Sequence, residues 1–186
     1  MLKHHRFWFA GLALAALVSA GCLLVSGQFV VTYVFKDHGY DPLTITSASS
    51  VTGVAVNLNT IAAYKEHKQQ LKDIVDIALV GDLANLDNLN PVTVEVWMVP
   101  HHTDVLYTTD SDVRTYGKLI WGPITVAAGA TKHIDWDESA KLAVGRPLVV
   151  YQVQHGGQFD LYALGSGGYH FQFTNGAFIA VIAAAH

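Results

Sequence analysis

The sequence has a single cysteine, five prolines and only 14% charged residues in 186. One cysteine excludes an intramolecular disulfide framework, and a hydrophobic share of 51% excludes a chain too polar to bury a core. Basic residues are also scarce, 11 against 15 acidic, for a formal net charge of -4. No basic surplus is therefore available to displace counterions from a phosphate backbone, and nucleic acid is not an expected partner. Nothing matches G-x-S-x-G, H-E-x-x-H, C-x-x-C, a Walker A loop or an EF-hand loop. The common signatures thus announce no enzyme and no cofactor. There is no internal repeat, and the length suits one domain with a real core.

Charge is missing most completely near the start. Lys3 and Arg6 precede residues 7–25, nineteen positions without a charge, and no charged side chain returns until Lys36. A basic head, an apolar run and the small residues Ser19, Ala20 and Gly21 make a tripartite export signal. The positive-inside bias keeps the head cytoplasmic and sends the rest across. Ala20 and Gly21 directly before Cys22 resemble the lipobox of bacterial lipoproteins, although Ser19 stands where that family usually has leucine. The resemblance implies that Cys22 is diacylated on sulfur and becomes the mature N-terminus. Leu23, in place of a retaining aspartate, then implies the outer membrane where the cell has one.

Two other readings of the segment stay open: an ordinary peptidase cut near Ala20, or an uncut helix about 28 Å long that spans the bilayer. The organisation expected is a signal peptide over residues 1–21, a short anchor segment over 22–27 and one domain over 28–186. Losing Lys3 and Arg6 leaves nine basic residues against 15 acidic ones, a net charge of -6. Attachment to the membrane must then be hydrophobic, since an acidic domain gains nothing from an anionic surface.

The exported part reads as a mainly β domain, an antiparallel β-sandwich, immunoglobulin-like in the loose sense, of roughly eight to ten strands. Residues 28–35 are β-branched and aromatic, residues 37–42 turn-like and residues 43–50 rich in serine and threonine. Residues 51–58 alternate, with Val54 and Val56 on one face. Ile61, Tyr64, Leu71, Ile74 and Val75 recur at helical spacing, so a helix is expected over 60–74 with Asn59 as its cap and Lys65, Lys68 and Lys72 on a solvated face. Further strands are expected over residues 77–83, 92–99, 119–126, 131–136, 148–154, 159–164, 169–174 and 178–184. Asn175-Gly176 reads as the type I′ turn of a closing hairpin, and residues 137–143 as a short helix capped by Asp137. Gly165-Ser-Gly-Gly168 reads as a turn. Trp97, Trp121 and Trp136 read as packing residues, with a sugar-stacking platform as the sharper alternative.

The densest polar cluster runs from His101, His102 and Asp104 to Asp110 and Asp112. Imidazole and carboxylate together suit zinc or a similar ion, but adjacent histidines on a strand face opposite ways, so the cluster reads first as a hydrated loop. The function expected is noncatalytic: a lipid-anchored envelope module that binds a protein or glycan. One alternative is a self-associating subunit of a surface layer or fibre, a homo-oligomer that donates apolar end strands at residues 29–35 and 178–185. The other is an exported metal-binding protein or hydrolase that uses the His101 to Asp112 segment.

Overall fold

The computed structural model describes residues 27–47, 51–100, 106–166 and 168–184. Nine strands lie among them: β1 (Gln28–Val34), β2 (Leu43–Thr46), β3 (Gly53–Asn57), β4 (Leu71–Asn85), β5 (Val92–Pro100), β6 (Lys118–Val126), β7 (Thr131–Ile134), β8 (Gln158–Gly165) and β9 (His170–Ala184). Four short helices join them: α1 (Ala62–His67), α2 (Asp110–Tyr116), α3 (Trp136–Leu142) and α4 (Arg146–His155). One sheet has the order β1-β9-β4-β7, with β2 beside the first half of β9, and the other has the order β3-β8-β5-β6. All pairings are antiparallel. The chain is an antiparallel β-sandwich.

Alternation makes the core. Phe29, Val31 and Tyr33 of β1, Val92, Val94, Val96 and Met98 of β5, and Phe171, Phe173, Phe178, Ala180 and Ile182 of β9 are all buried between the sheets, as a period of two requires, with one shift of parity in β9 between Phe173 and Phe178. α1 closes one open side of the sandwich. Its Tyr64 is fully buried and donates its hydroxyl hydrogen to Val153 O at 2.5 Å, and burial pushes that phenol up to about 12.

The expected helix over 60–74 ends at His67, and β4 begins at Leu71. The reason lies in two β-bulges. Pairing with β9 skips Lys72 and Val75, so Ile74 and Ile77, three residues apart, both face inward. Each bulge inserts one residue and turns a strand's spacing of two into three, which imitates helical periodicity. Asp73 and Asp76 accept hydrogen bonds from the N–H groups of Ile74 and Ile77 at 2.8 and 2.9 Å, serving donors beside the interrupted ladder. Asn59 is not the cap of α1; Asn57 accepts from the Asn59 N–H in the 3-10 turn before it.

Residues 148–154 belong to a helix instead of a strand, because α4 spans Arg146–His155 and buries Val149 and Val153 at i, i+4. Its neighbours explain the choice. The first half of β4 has no strand on its outer side, and the helices supply hydrogen-bonding groups in its place. Arg146 donates to the carbonyls of Ile74 and Val75, Gln154 to that of Lys72, and Ser139 of α3 accepts from the Leu79 N–H. Trp136 opens α3 instead of ending a strand, and the cap there is Asp135, which accepts from Glu138 N at 2.8 Å, not Asp137.

The expected terminal hairpin is a single strand. β9 runs through Asn175-Gly176, and both halves pair with β4. A type I′ turn needs positive φ at two positions; Asn175 has φ 53, but Gly176 is not in the left-handed region. Asn175 and Gly176 lie together opposite Gly81, whose neighbours pair as Asp82 with Thr174 and Val80 with Ala177. This is another bulge. β9 therefore lies inside its sheet, with β1 and β2 on one side and β4 on the other, and the expectation that residues 178–185 form a free end strand is corrected.

Candidate functional site

Strand direction sorts the molecule into two ends. β1 begins with Gln28 opposite Ala183, and β4 begins with Leu71 opposite Ala184. At the other end, Asn85 pairs with Phe171 and Thr46 with His170. The described residues of the loops that follow β2, β4 and β8 gather there, roughly 45 Å from Gln28 at about 3.3 Å per strand residue.

Those loops enclose an open groove of about 640 Å³, lined by Ser47, Asp87, Asn90, Ser166, Tyr169 and His170 together with Pro91 and Gly168. Its walls are held from behind. Asn85 is buried and donates to the carbonyls of Asn90, Val126 and Ala127, while its own oxygen accepts from the Asp87 N–H. Asp87 accepts from the N–H groups of Leu89 and Asn90 and from the Asn90 amide. The Leu89 bond first, then the Asn90 amide, hold its carboxyl below the usual carboxylate range. In one wall, Ser47 and Tyr169 continue the pairing of β2 with β9: Tyr169 N–H donates to Ser47 Oγ at 3.0 Å and Ser47 N–H to Tyr169 O at 2.9 Å.

Beside the groove, on the outer face of β5, lies an aromatic and charged patch. Arg114 sits 5.2 Å over the Trp97 ring and pairs with Glu95 at 3.0 Å and Asp110 at 2.8 Å. Tyr116, 60% exposed, stacks on Tyr107 at 5.4 Å. The two regions meet at Tyr169, whose phenol is raised by burial and then by the Asp110 carboxylate. Under the patch a small second core holds Val51, Val99, Val113, Tyr162 and Leu164.

The tryptophans do not form a platform. Trp121 is buried, and its indole N–H donates to Ser139 Oγ at 3.1 Å. Trp136 lies on α3 and Trp97 is covered by Arg114. Of the expected polar cluster, His101, His102 and Asp104 lie outside the described residues, as does Cys22. Asp110 is committed to Arg114, and Asp112 to Thr109, whose hydroxyl donates to it at 2.6 Å. Among the described residues no group of three metal-ligating side chains converges. The groove residues come from three loops distant in sequence, so only the Asp/Asn-rich turn at 85–90 and the glycine-rich turn at 165–168 marked them.

An inter-sheet gap of about 40 Å³, lined by Phe35, Leu79, Trp121, Leu161 and Phe173 among others, is no ligand site. A dry cavity of about 150 Å³ is what a single benzene occupies.

Three polar residues meet on the outer face of the first sheet. Asp82 accepts from Asn175 Nδ2 at 2.8 Å and contacts His133 Nδ1 at 2.7 Å. The Asn175 bond, then His133, hold the Asp82 carboxyl below its ordinary 3.8. A carboxyl depressed in the folded state adds stability that is complete above its unfolded value and is lost as pH falls through the folded one. Asp82→Asn should flatten the loss of stability below about pH 4, read from urea midpoints at successive pH values. An unchanged acid limb would show that the native and unfolded carboxyls titrate alike.

No family model and no curated protein matches the chain. Among solved structures, one similar chain comes from the T13 IBDV viral particle, at 12% identity and TM-score 0.34, covering 85% of this chain and 32% of that one. Another comes from the infectious bursal disease virus Gx strain, at 12% identity and TM-score 0.33, covering 84% and 33%. The chain spans about a third of the length of each. Likenesses this slight decide nothing about fold or function.

Proposed function

We propose that the protein is a noncatalytic binding module of the cell envelope, exported and held to the membrane by acyl chains on Cys22, that presents the loop-end groove to a glycan. The observation that carries this reading is placement. The groove opens at the end of β4 and β9 farthest from Gln28, where the chain comes from the anchor. Its lining of hydroxyl, amide, imidazole and carboxylate groups on a braced frame suits a ligand that is itself rich in hydroxyls, because each such group both donates and accepts.

Two measurements test it. The intact mass of protein taken from membranes should equal that of residues 22–186 plus acyl chains; an unmodified mass, or a chain still starting at Met1, removes the lipoprotein reading. Titration with soluble cell-wall oligosaccharides, followed by NMR, should shift the signals of Ser47, Asn90, Ser166 and His170 saturably. Ser166→Trp, which fills the groove from an exposed loop position, should abolish the shifts. A flat titration removes the glycan.

The metal-binding or hydrolytic alternative has Asp110 and Asp112 tied to Arg114 and Thr109. The fibre alternative keeps β1 as an edge strand but has lost β9, which lies inside its sheet. The groove is accordingly preferred to both.

A further inference from the structure

The face that the first sheet turns away from the sandwich is divided at the Asn175 bulge. Toward the groove it is polar, with Gln172 donating to Thr44 at 3.0 Å and Asp82 joined to His133. On the other side of the bulge the same face is mainly aliphatic: Val30 pairs with Val181, Val34 and Val80 flank Ala177, and Ile179 lies between Thr32 and Ala78, with the valines and Ile179 half-buried and the two alanines buried among them. Their sequence neighbours Val31, Phe178, Ala180 and Ile182 point into the core. None of the described helices is laid over these residues. α1 meets β1 through the ring contact of His67 with Phe29, on the core side, and α3 and α4 reach β4 along its edge.

Size and position decide what covers this half-face. Three strands about 4.8 Å apart and eight residues of about 3.3 Å each give roughly 400 Å², half of the approximately 800 Å² per partner that secures a specific dimer. A second copy is poorly held by it. A surface already brought close by a tether needs no such area, because the tether supplies the effective concentration. Gln28 stands at the corner of the half-face, six residues after Cys22 and within about 20 Å of it even when fully extended. The rim carries Asp73 and Asp76, which pair with Ala183 and Val181, so anionic headgroups are disfavoured.

We propose that this aliphatic half-face lies in the interface of net-neutral lipids in the membrane that holds the anchor, with its valine and isoleucine side chains against the acyl chains, tilting the sandwich so that its polar half and groove face outward. The inference rests on the anchored reading of the N-terminus, and it holds for acylated Cys22 and for an uncut span over residues 7–25.

The test uses the full-length gene product reconstituted in phosphatidylcholine vesicles, with one nitroxide placed through Val181→Cys or, on the polar half, Gln172→Cys; Cys22 is blocked where it is acylated and is replaced through Cys22→Ser where the segment stays uncut. At 181 the label should lose collisions with a water-soluble nickel complex and retain collisions with oxygen; at 172 both should persist. A label at 181 as open to nickel as that at 172 overturns the lipid contact while leaving the anchor intact. Spin–spin broadening between 181 labels, with no oxygen access, overturns it in favour of a second copy. Protein that fails to float with the vesicles overturns both the anchor and this inference. Ile179→Lys should restore nickel access at 181 without releasing the protein from vesicles, an outcome that misfolding would not give if the urea midpoint is kept.

Discussion

Gly81→Ala should destabilise the domain by roughly 2–6 kcal/mol, the sum of backbone strain and overpacking. Gly81 has φ 151, a region that L side chains rarely adopt. A Cβ there would stand 2.6 Å from the Phe173 ring and 2.9 Å from Thr174 O. The same ring blocks Gly176, where a Cβ would meet Phe173 at 2.5 Å and Phe35 at 2.6 Å. One phenylalanine thus lies across both glycines of the bulge, so neither side can give way toward the other. Urea denaturation should show a lower midpoint with an unchanged slope. Adding Phe173→Leu should return only the part due to the ring, leaving the φ cost and the contact with Thr174 O. A Gly81→Ala protein with the parent's midpoint would mean that the bulge relaxes freely.

Ser139→Ala should cost about 2–6 kcal/mol, because it orphans two donors, each worth about 1–3 kcal/mol when left buried and unpaired. Ser139 is fully buried on α3, and its Oγ accepts from the Leu79 N–H at 2.7 Å and from the Trp121 indole at 3.1 Å. One hydroxyl joins a β4 edge, a helix and a core tryptophan from the other sheet. Beyond the shift in midpoint, hydrogen exchange should accelerate at the Leu79 amide and the Trp121 indole. Protection unchanged at both would mean that water or another acceptor replaces the hydroxyl.

These sites show what could be read early. Strands with clean alternation were legible because the period of two survives without partners: β1, β5, β6 and β8 lie within a residue or two of their expected bounds. β4 was misread at its start because bulges at Lys72 and Val75 reset the period to three, and a bulge is visible only against the strand it opposes. Residues 148–154 are valine-rich and favour a strand locally, yet the open edge of β4 needed donors, and Arg146 and Gln154 deliver them only from a helix. Asn175-Gly176 is turn chemistry used once, at a single positive φ, to bend a strand that continues. The groove was illegible as a unit because Ser47, Asn90 and Ser166 are brought together by the antiparallel return of β9 past β2 and β4, which no local pattern encodes.

The sequence by itself determined the acidic balance and the sandwich class, since charge and alternation are properties of neighbours along the chain. Only the tertiary structure decided which strand ends share the groove, which helices shield the edge of β4 and which half of a sheet face stays aliphatic. Those depend on register, and register is set by contacts between residues far apart in sequence.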